Sequence, residues 1–312
     1  MLKPKSPTAV VLGSVHMDLI ASADRLPGRG ESIAGGSFAM SPGGKCGNQA
    51  CQLALAGTPT YVLTRLGKDI FGEQLLDALV AKGVDISHVR FDEEAGTGVS
   101  CVLSAEGDYS SIIASGAAAN LSVEDIERAS IVIESAGALL LQLELAVELS
   151  TRAARMAHRR ARFIVLNASP APGEFSLLPK DLQASVSVLI VNGVEARRLL
   201  GRQDNPHYAA ELAQRFNIET VVVTAGATGS IAVRGKEFIH QPAFPVTVVD
   251  SVGAGDAFLG TFVTALLEDA PLKHAMQRGA AAGAIAVSRH GGHDGLPSRD
   301  DVDEFLKGVE KS

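Results

Sequence analysis

The sequence predicts an α/β protein built on a central, mostly parallel sheet flanked by helices. Two features predict it. Short β-branched runs alternate with longer helical patterns along most of the 312 residues, the signature of repeated strand–helix–strand units. The 32 glycines include several at turns from strand to helix, an arrangement suited to binding phosphate or nucleotide.

Strands are expected at residues 10–12, 61–65, 138–142, 163–167, 188–192 and 220–224, with a further strand-like run at 246–249. The helices between them are expected at 47–56, 71–82, 146–159, 193–200 and 209–216. Three more close the chain at 255–267, 271–288 and 299–307. Leu75, Leu76 and Leu79 form one side of the second helix, and Gly83 stops it. Two stretches break the rhythm. Residues 19–41 carry Gly28, Gly30, Gly35 and Gly36 between short alternating pieces. Residues 97–104 and 110–114 read as a hairpin turning at Glu106–Gly107–Asp108. The whole chain, 1–312, is expected to form one domain, with a small β-sheet lid from about 16–42 and 96–116 covering a cleft or a partner.

Composition excludes several classes. Hydrophobic residues make up 46% and charged residues 20%, as in soluble folded chains. The 28 basic and 35 acidic residues give a net charge of −7, so no basic field for nucleic acid exists. The longest uncharged apolar runs, such as 279–287, fall short of the ~20 residues that span a bilayer. No signal or transit peptide is read in residues 1–10. The three cysteines, Cys46, Cys51 and Cys101, suit a reducing compartment, and a cytoplasmic protein is expected.

Asp250-Ser251-Val252-Gly253-Ala254-Gly255-Asp256 opens a helix. Gly253, Ala254 and Gly255 let backbone amides turn towards an anion at a positive helix end. An acid directly behind such a cradle would repel phosphate, unless Asp256 takes a proton from a hydroxyl attacking it. A glycine turn with a first-turn acid is the plainer alternative. Gly43-Gly44-Lys45-Cys46-Gly47-Asn48 also runs from turn to helix. There the glycines admit a polyol, and Lys45 and Asn48 donate to it, or the segment is simply a tight turn. Asp18 offers acceptors for sugar hydroxyls or caps a loop. Thr224-Ala225-Gly226-Ala227-Thr228-Gly229 either admits a nucleotide's phosphates or is a hairpin turn. It lacks both the dinucleotide fingerprint and the P-loop lysine. Asn192 and Glu195 are spaced to orient hydrated magnesium. Glu144 could hydrogen-bond substrate or serve structure.

In this order the segments resemble the ribokinase family, the phosphofructokinase-B-type carbohydrate kinases, from Val10 to Phe305. Residues 43–50 are similar to its first signature, 67–72 to its G-x-D-x-(aromatic)-G element and 250–256 to its second signature. The resemblance implies a ribokinase-like fold and transfer of the ATP γ-phosphoryl to a hydroxymethyl group of a pentose such as ribose. It implies Asp256 as base and Gly253, Ala254 and Gly255 as anion hole. Sugar contacts fall to His16, Asp18, Gly44, Lys45, Asn48 and Glu144. Asn192 and Glu195 would serve Mg²⁺ and phosphate, and Thr224, Gly226 and Gly229 the nucleotide. Asp250, Val252, Arg289 and Gly291 match a monovalent-cation loop that favours K⁺ in ribokinases. A homodimer through the lid is implied as well.

The chain departs from that pattern in four places. His16 stands where ribokinases usually have Asn, and Cys46 where they have a small residue, expected to narrow the cleft. Thr261 replaces Ala or Gly, a packing change, and Gly295 replaces a cation-binding serine. A nucleoside or ketohexose kinase of the same family is the nearest alternative. A non-catalytic sugar-binding regulator is the alternative of another class, opposed by the intact Asp256. A nicotinamide oxidoreductase lacks its fingerprint at Gly13–His16.

Overall fold

A computed structural model describes residues 7–105, 108–158, 160–201 and 208–309. Its strands are β1 (Ala9–Leu12), β2 (His16–Ala23), β3 (Ser37–Gly43), β4 (Thr60–Gly67), β5 (Val89–Asp92), β6 (Thr97–Ala105) and β7 (Asp108–Gly116). There follow β8 (Ala138–Leu141), β9 (Phe163–Asn167), β10 (Val188–Asn192), β11 (Thr220–Thr224), β12 (Ser230–Arg234) and β13 (Glu237–Gln241). They form a nine-stranded sheet in the order β13-β12-β11-β10-β9-β8-β1-β4-β5 and a four-stranded sheet in the order β3-β2-β6-β7. From β11 to β5 the large sheet is parallel, and β12 and β13 add antiparallel at its edge.

Strands covered on both faces must be apolar at every position, which is why their runs show no alternation. Val11, Leu140, Val165, Ile190 and Val222 enter one core. Their neighbours Val10, Leu139, Ile164, Leu189 and Val221 enter the other. The first core is closed by the helices Lys45–Leu55, Ala254–Leu267 and Leu272–Val287. In Ala254–Leu267 every residue from Ala257 onwards is buried, as expected of a helix wedged between two others. The second core lies under Val147–Ala157, Gly193–Leu200 and Tyr208–Phe216.

The small sheet has two unlike faces. Asp18, Ser41, Ser100 and Ile113 are partners across its four strands, as are Leu19, Met40, Cys101 and Ile112 on the opposite face. Its middle strands, β2 and β6, run parallel. At its root, Asp69 caps the helix Ile70–Ala81 through the Gly72 amide at 2.8 Å. The same carboxylate accepts the Thr97 amide and hydroxyl, both at 2.7 Å. One side chain therefore anchors the start of β6 to the main body.

Several expectations need correction. Residues 246–249 form no strand. The Val249 amide donates to the Val287 carbonyl at 2.7 Å rather than to a strand, and β13 already occupies the sheet edge. Residues 16–23, expected only as part of the small sheet, form the eight-residue strand β2. The helix expected at 146–159 spans Val147–Ala157, and Arg159 lies outside the described residues. So does Glu106–Gly107 of the expected hairpin turn, while Asp108 opens β7. The short helices Val123–Arg128, Ser130–Ser135 and Lys180–Ser185 were not anticipated.

Phe262 is fully buried and stacks on Phe258 with ring centroids 5.9 Å apart. Phe262→Ala should cost about 3–5 kcal/mol, the usual range for emptying a buried ring site. A denaturant midpoint that drops accordingly in equilibrium unfolding is the expected result.

Candidate active site

Parallel strands deliver their C-terminal ends to one edge of the sheet, and loops at that edge are the usual place for ligands in open α/β folds. Here Ser14 and His16 follow β1, Gln142 and Glu144 follow β8, and Asn167, Asn192 and Thr224 end β9, β10 and β11. Two cavities open along this edge.

The first, of about 300 Å³, is lined by His16, Asp18, Gly44, Lys45, Asn48 and Glu144. Asn192, Glu195, Gly253, Gly255 and Asp256 line it too. The small sheet adds Ser100, Val102, Ser111 and Ile113 from its polar face. Gly44 has φ +88°, and a Cβ there would sit 2.7 Å from the Ser14 carbonyl oxygen. Its absence lets the helix Lys45–Leu55 begin close against the chain leaving β1. That helix start presents Lys45 and Asn48 to the cavity.

Polar groups converge in it. Ser14 donates to Glu144 at 2.5 Å, and Lys45 Nζ lies 3.9 Å from the other Glu144 oxygen. His16 Nε2 is 3.4 Å from Asp18 Oδ1. His16 Nδ1 and Asn48 Oδ1 are buried and have no hydrogen-bond partner among the described residues. Buried polar atoms rarely remain unpaired. Two such atoms beside a cavity fit a ligand rich in hydroxyls.

The second cavity, about 520 Å³, is bounded by Thr224, Gly226 and Gly229 at one end and Ala254 and Gly255 at the other. Phe244, Val246, Phe258 and Val287 make its walls largely apolar, which suits a flat aromatic base. The segment 225–229 is the hairpin turn between β11 and β12 and also walls this cavity. The two cavities share Thr224, Ser251 and Gly255.

At that junction the helix Ala254–Leu267 begins, with Gly253 as N-cap at φ +77°. A left-handed residue there favours glycine, and the helix's first amides are left for an anion. Asp256 follows within the first turn. Asn48 Nδ2 donates to its Oδ2 and Gln49 Nε2 to its Oδ1, both at 2.9 Å. The surrounding protein raises the Asp256 pKa above 3.8; Lys45 and the two amides oppose the rise, and Glu144 adds to it.

Asn192 and Glu195 form a reciprocal capping box at the start of Gly193–Leu200, with 2.9 and 2.8 Å hydrogen bonds. The box employs Asn192 Oδ1 and one Glu195 oxygen, so the pair serves the helix, and both residues also line the first cavity. Among the described residues no cluster of three His, Cys, Asp or Glu side chains could cage a metal alone. The expected cation loop is drawn together by Asp250, which accepts the Val252 amide at 2.9 Å and the Gly291 amide at 3.1 Å. The Arg289 side chain turns away to Asp301 at 3.2 Å.

Cys46 does not narrow the cleft. It is fully buried and lines neither cavity, with its Sγ 3.6 Å from the Val11 carbonyl. Thr261 does more than pack, because it accepts a 3.0 Å hydrogen bond from Gln52. Asn167, Ser100 and Ser111 were missed. Asn167 carried a signal, being the polar last residue of an apolar strand.

A polar cavity beside an apolar one, joined at a helix N-terminus that holds a carboxylate, defines a phosphotransferase that sets a hydroxylated acceptor against a nucleotide. Residues 6–299 match the pfkB family of carbohydrate kinases. A ribokinase of Haemophilus influenzae is 32% identical over 306 residues, covering 96% of this chain and 98% of that one. A deoxyribokinase of Salmonella typhi is 29% identical over 301 residues, covering 95% and 97%. The structure of Arabidopsis thaliana ribokinase with ribose and ATP superposes with a TM-score of 0.86 at 29% identity, covering 97% and 99%. The chain belongs to the pfkB carbohydrate kinase family and is an ATP-dependent sugar kinase.

Proposed function

We propose that the protein phosphorylates ribose or a closely related furanose pentose on its hydroxymethyl group. The observation that carries this reading is the place of Asp256, beside Gly255 where the two cavities meet. A sugar in the polar cavity sets its hydroxyl before the Asp256 carboxylate. Asp256 takes the hydroxyl proton while the oxygen attacks the γ-phosphorus, and the bond to the bridging oxygen of ADP breaks. The amides of Gly253, Ala254 and Gly255 stabilise charge on the transferring group. Bound with the phosphates, Mg²⁺ would add further charge neutralisation, and Asn192 and Glu195 would orient its waters. A monovalent cation such as K⁺ would sit by Asp250, whose carboxylate offers hard oxygen donors. The small sheet, its polar face over the sugar, would close as a lid and exclude water.

Specificity is assigned to His16, Asp18, Lys45, Asn48 and Glu144. The relatives named ribokinase and deoxyribokinase support a pentose. The outer face of the small sheet exposes Phe38, Met40, Leu103 and Ile112, a contiguous apolar strip that supports pairing of two copies through the lid.

Asp256→Asn should still bind ATP yet lose at least ~10²-fold in kcat, the scale of a general base; unchanged turnover would remove Asp256 from the mechanism. Because the working form is ionised and burial raises its pKa, activity should fall as pH drops through that raised value. The acid limb of the kcat/KM profile should therefore lie above the 3.8 of an ordinary aspartate. ADP release measured over ribose, deoxyribose, fructose and adenosine should show the highest kcat/KM with a pentose, and preference for adenosine would reassign the acceptor. Light scattering should give a dimer for the native chain and a monomer for Ile112→Lys.

A further inference from the structure

We infer that Gln49 is a positioning residue for phosphoryl transfer, its side-chain amide aiming the Asp256 carboxylate while touching neither sugar nor nucleotide. The inference rests on the reading of Asp256 as base. Gln49 is fully buried and lines neither cavity, so any effect on the reaction must pass through a neighbour.

Its hydrogen-bonding capacity is used on three sides. Nε2 donates to Asp256 Oδ1 at 2.9 Å and to Asn167 Oδ1 at 3.1 Å, and Oε1 accepts from Gln142 Nε2 at 2.6 Å. The orientation of this chain of amides follows from its ends. Asn167 donates to the Ile190 carbonyl at 3.0 Å, and a backbone carbonyl can only accept. Asn167 must therefore present its oxygen to Gln49. Asp256, when ionised, is also acceptor-only. A flipped Gln49 would set its oxygen against both of these acceptors and its NH₂ against that of Gln142. The ends of β9 and β10 thus dictate that Gln49 donates to the acid.

Room for the brace comes from an absent side chain. A Cβ on Gly13 would lie 2.1 Å from Gln142 Oε1, so the glycine just after β1 admits the amide that holds Gln49. The two donors to Asp256 differ in their other duties. Asn48 lines the sugar cavity and has a buried oxygen without a partner among the described residues, so it is available to substrate as well as to the base. Gln49, by contrast, holds the carboxylate without lining either cavity. When sugar engages Asn48, the Gln49 bond fixes the plane of the carboxylate. Lys45 and Cys46 on the same helix and Glu144 beyond β8 are the titratable groups acting on or responding to Asp256. The Gln49 bond favours its ionised form.

The test is Gln49→Met, which keeps length and removes the donor. The rate is taken per ATP-binding molecule, counted by calorimetry, so that any unfolded fraction drops out. The expected result is kcat about 10- to 100-fold lower, the scale of a misaimed reacting group. KM for sugar and for ATP should stay within about two-fold of native, and the acid limb of the pH profile should move up. A kcat within about two-fold of native with an unmoved acid limb overturns the inference. Should Gln49→Met fail to fold, Gln142→Met carries the test, because it removes the brace without touching Asp256. A smaller fall in kcat with the same upward shift supports the inference, and native behaviour overturns it. Asp256→Asn measured in parallel separates the two readings. If it keeps its turnover, the base itself is misassigned; if it loses turnover while Gln49→Met does not, only the positioning role fails.

Discussion

A carboxylate walled by protein loses the water that favours its charge, and it ionises only as far as nearby donors replace that water. At Asp256 these two influences oppose each other. Surrounding protein pushes its pKa up, while the Lys45 charge and the amides of Asn48 and Gln49 push it down. Neutral donors suit this task. For the base proposed above, a cation in hydrogen-bond contact would depress the acid further and make it a poorer base, since proton-transfer efficiency follows basicity. Amides direct the oxygens and moderate their affinity for a proton without removing it.

The rest of the architecture serves that balance. The parallel sheet brings the ends of β1, β8, β9, β10 and β11 to one edge, where each contributes a polar side chain to the cavities or their supports. The helix Ala254–Leu267 holds the acid rigidly because its next eleven residues are buried between two neighbouring helices. A glycine is its N-cap, and Asp256 in its first turn lines the polar cavity.

Much of this was legible in the sequence where the physical cause is local. Apolar runs ending in Asn167, Asn192 and Thr224 announced parallel strands. The glycine-rich starts of two helices singled out residues 43–50 and 250–256. What escaped depended on contacts distant in sequence. Gln49 and Gln142 stand 93 residues apart, and nothing local marks either as a brace. Cys46 was misplaced because a helix start next to the cavity can still turn one side chain into the core. The valines at 246–249 read as a strand because β-branched residues favour extended backbone; their partner is the end of a helix, and Val246 and Val248 wall the larger, apolar cavity.

The two unlike faces of the four-stranded sheet have a mechanical outcome. A sheet is a single layer, so Met40 and Ser41 are consecutive residues whose side chains point to opposite sides. Any force that tilts or steadies the outer surface is transmitted, across one backbone thickness, to Ser100 and Ser111 at the polar cavity. Both surfaces belong to one ribbon, and neither can shift alone.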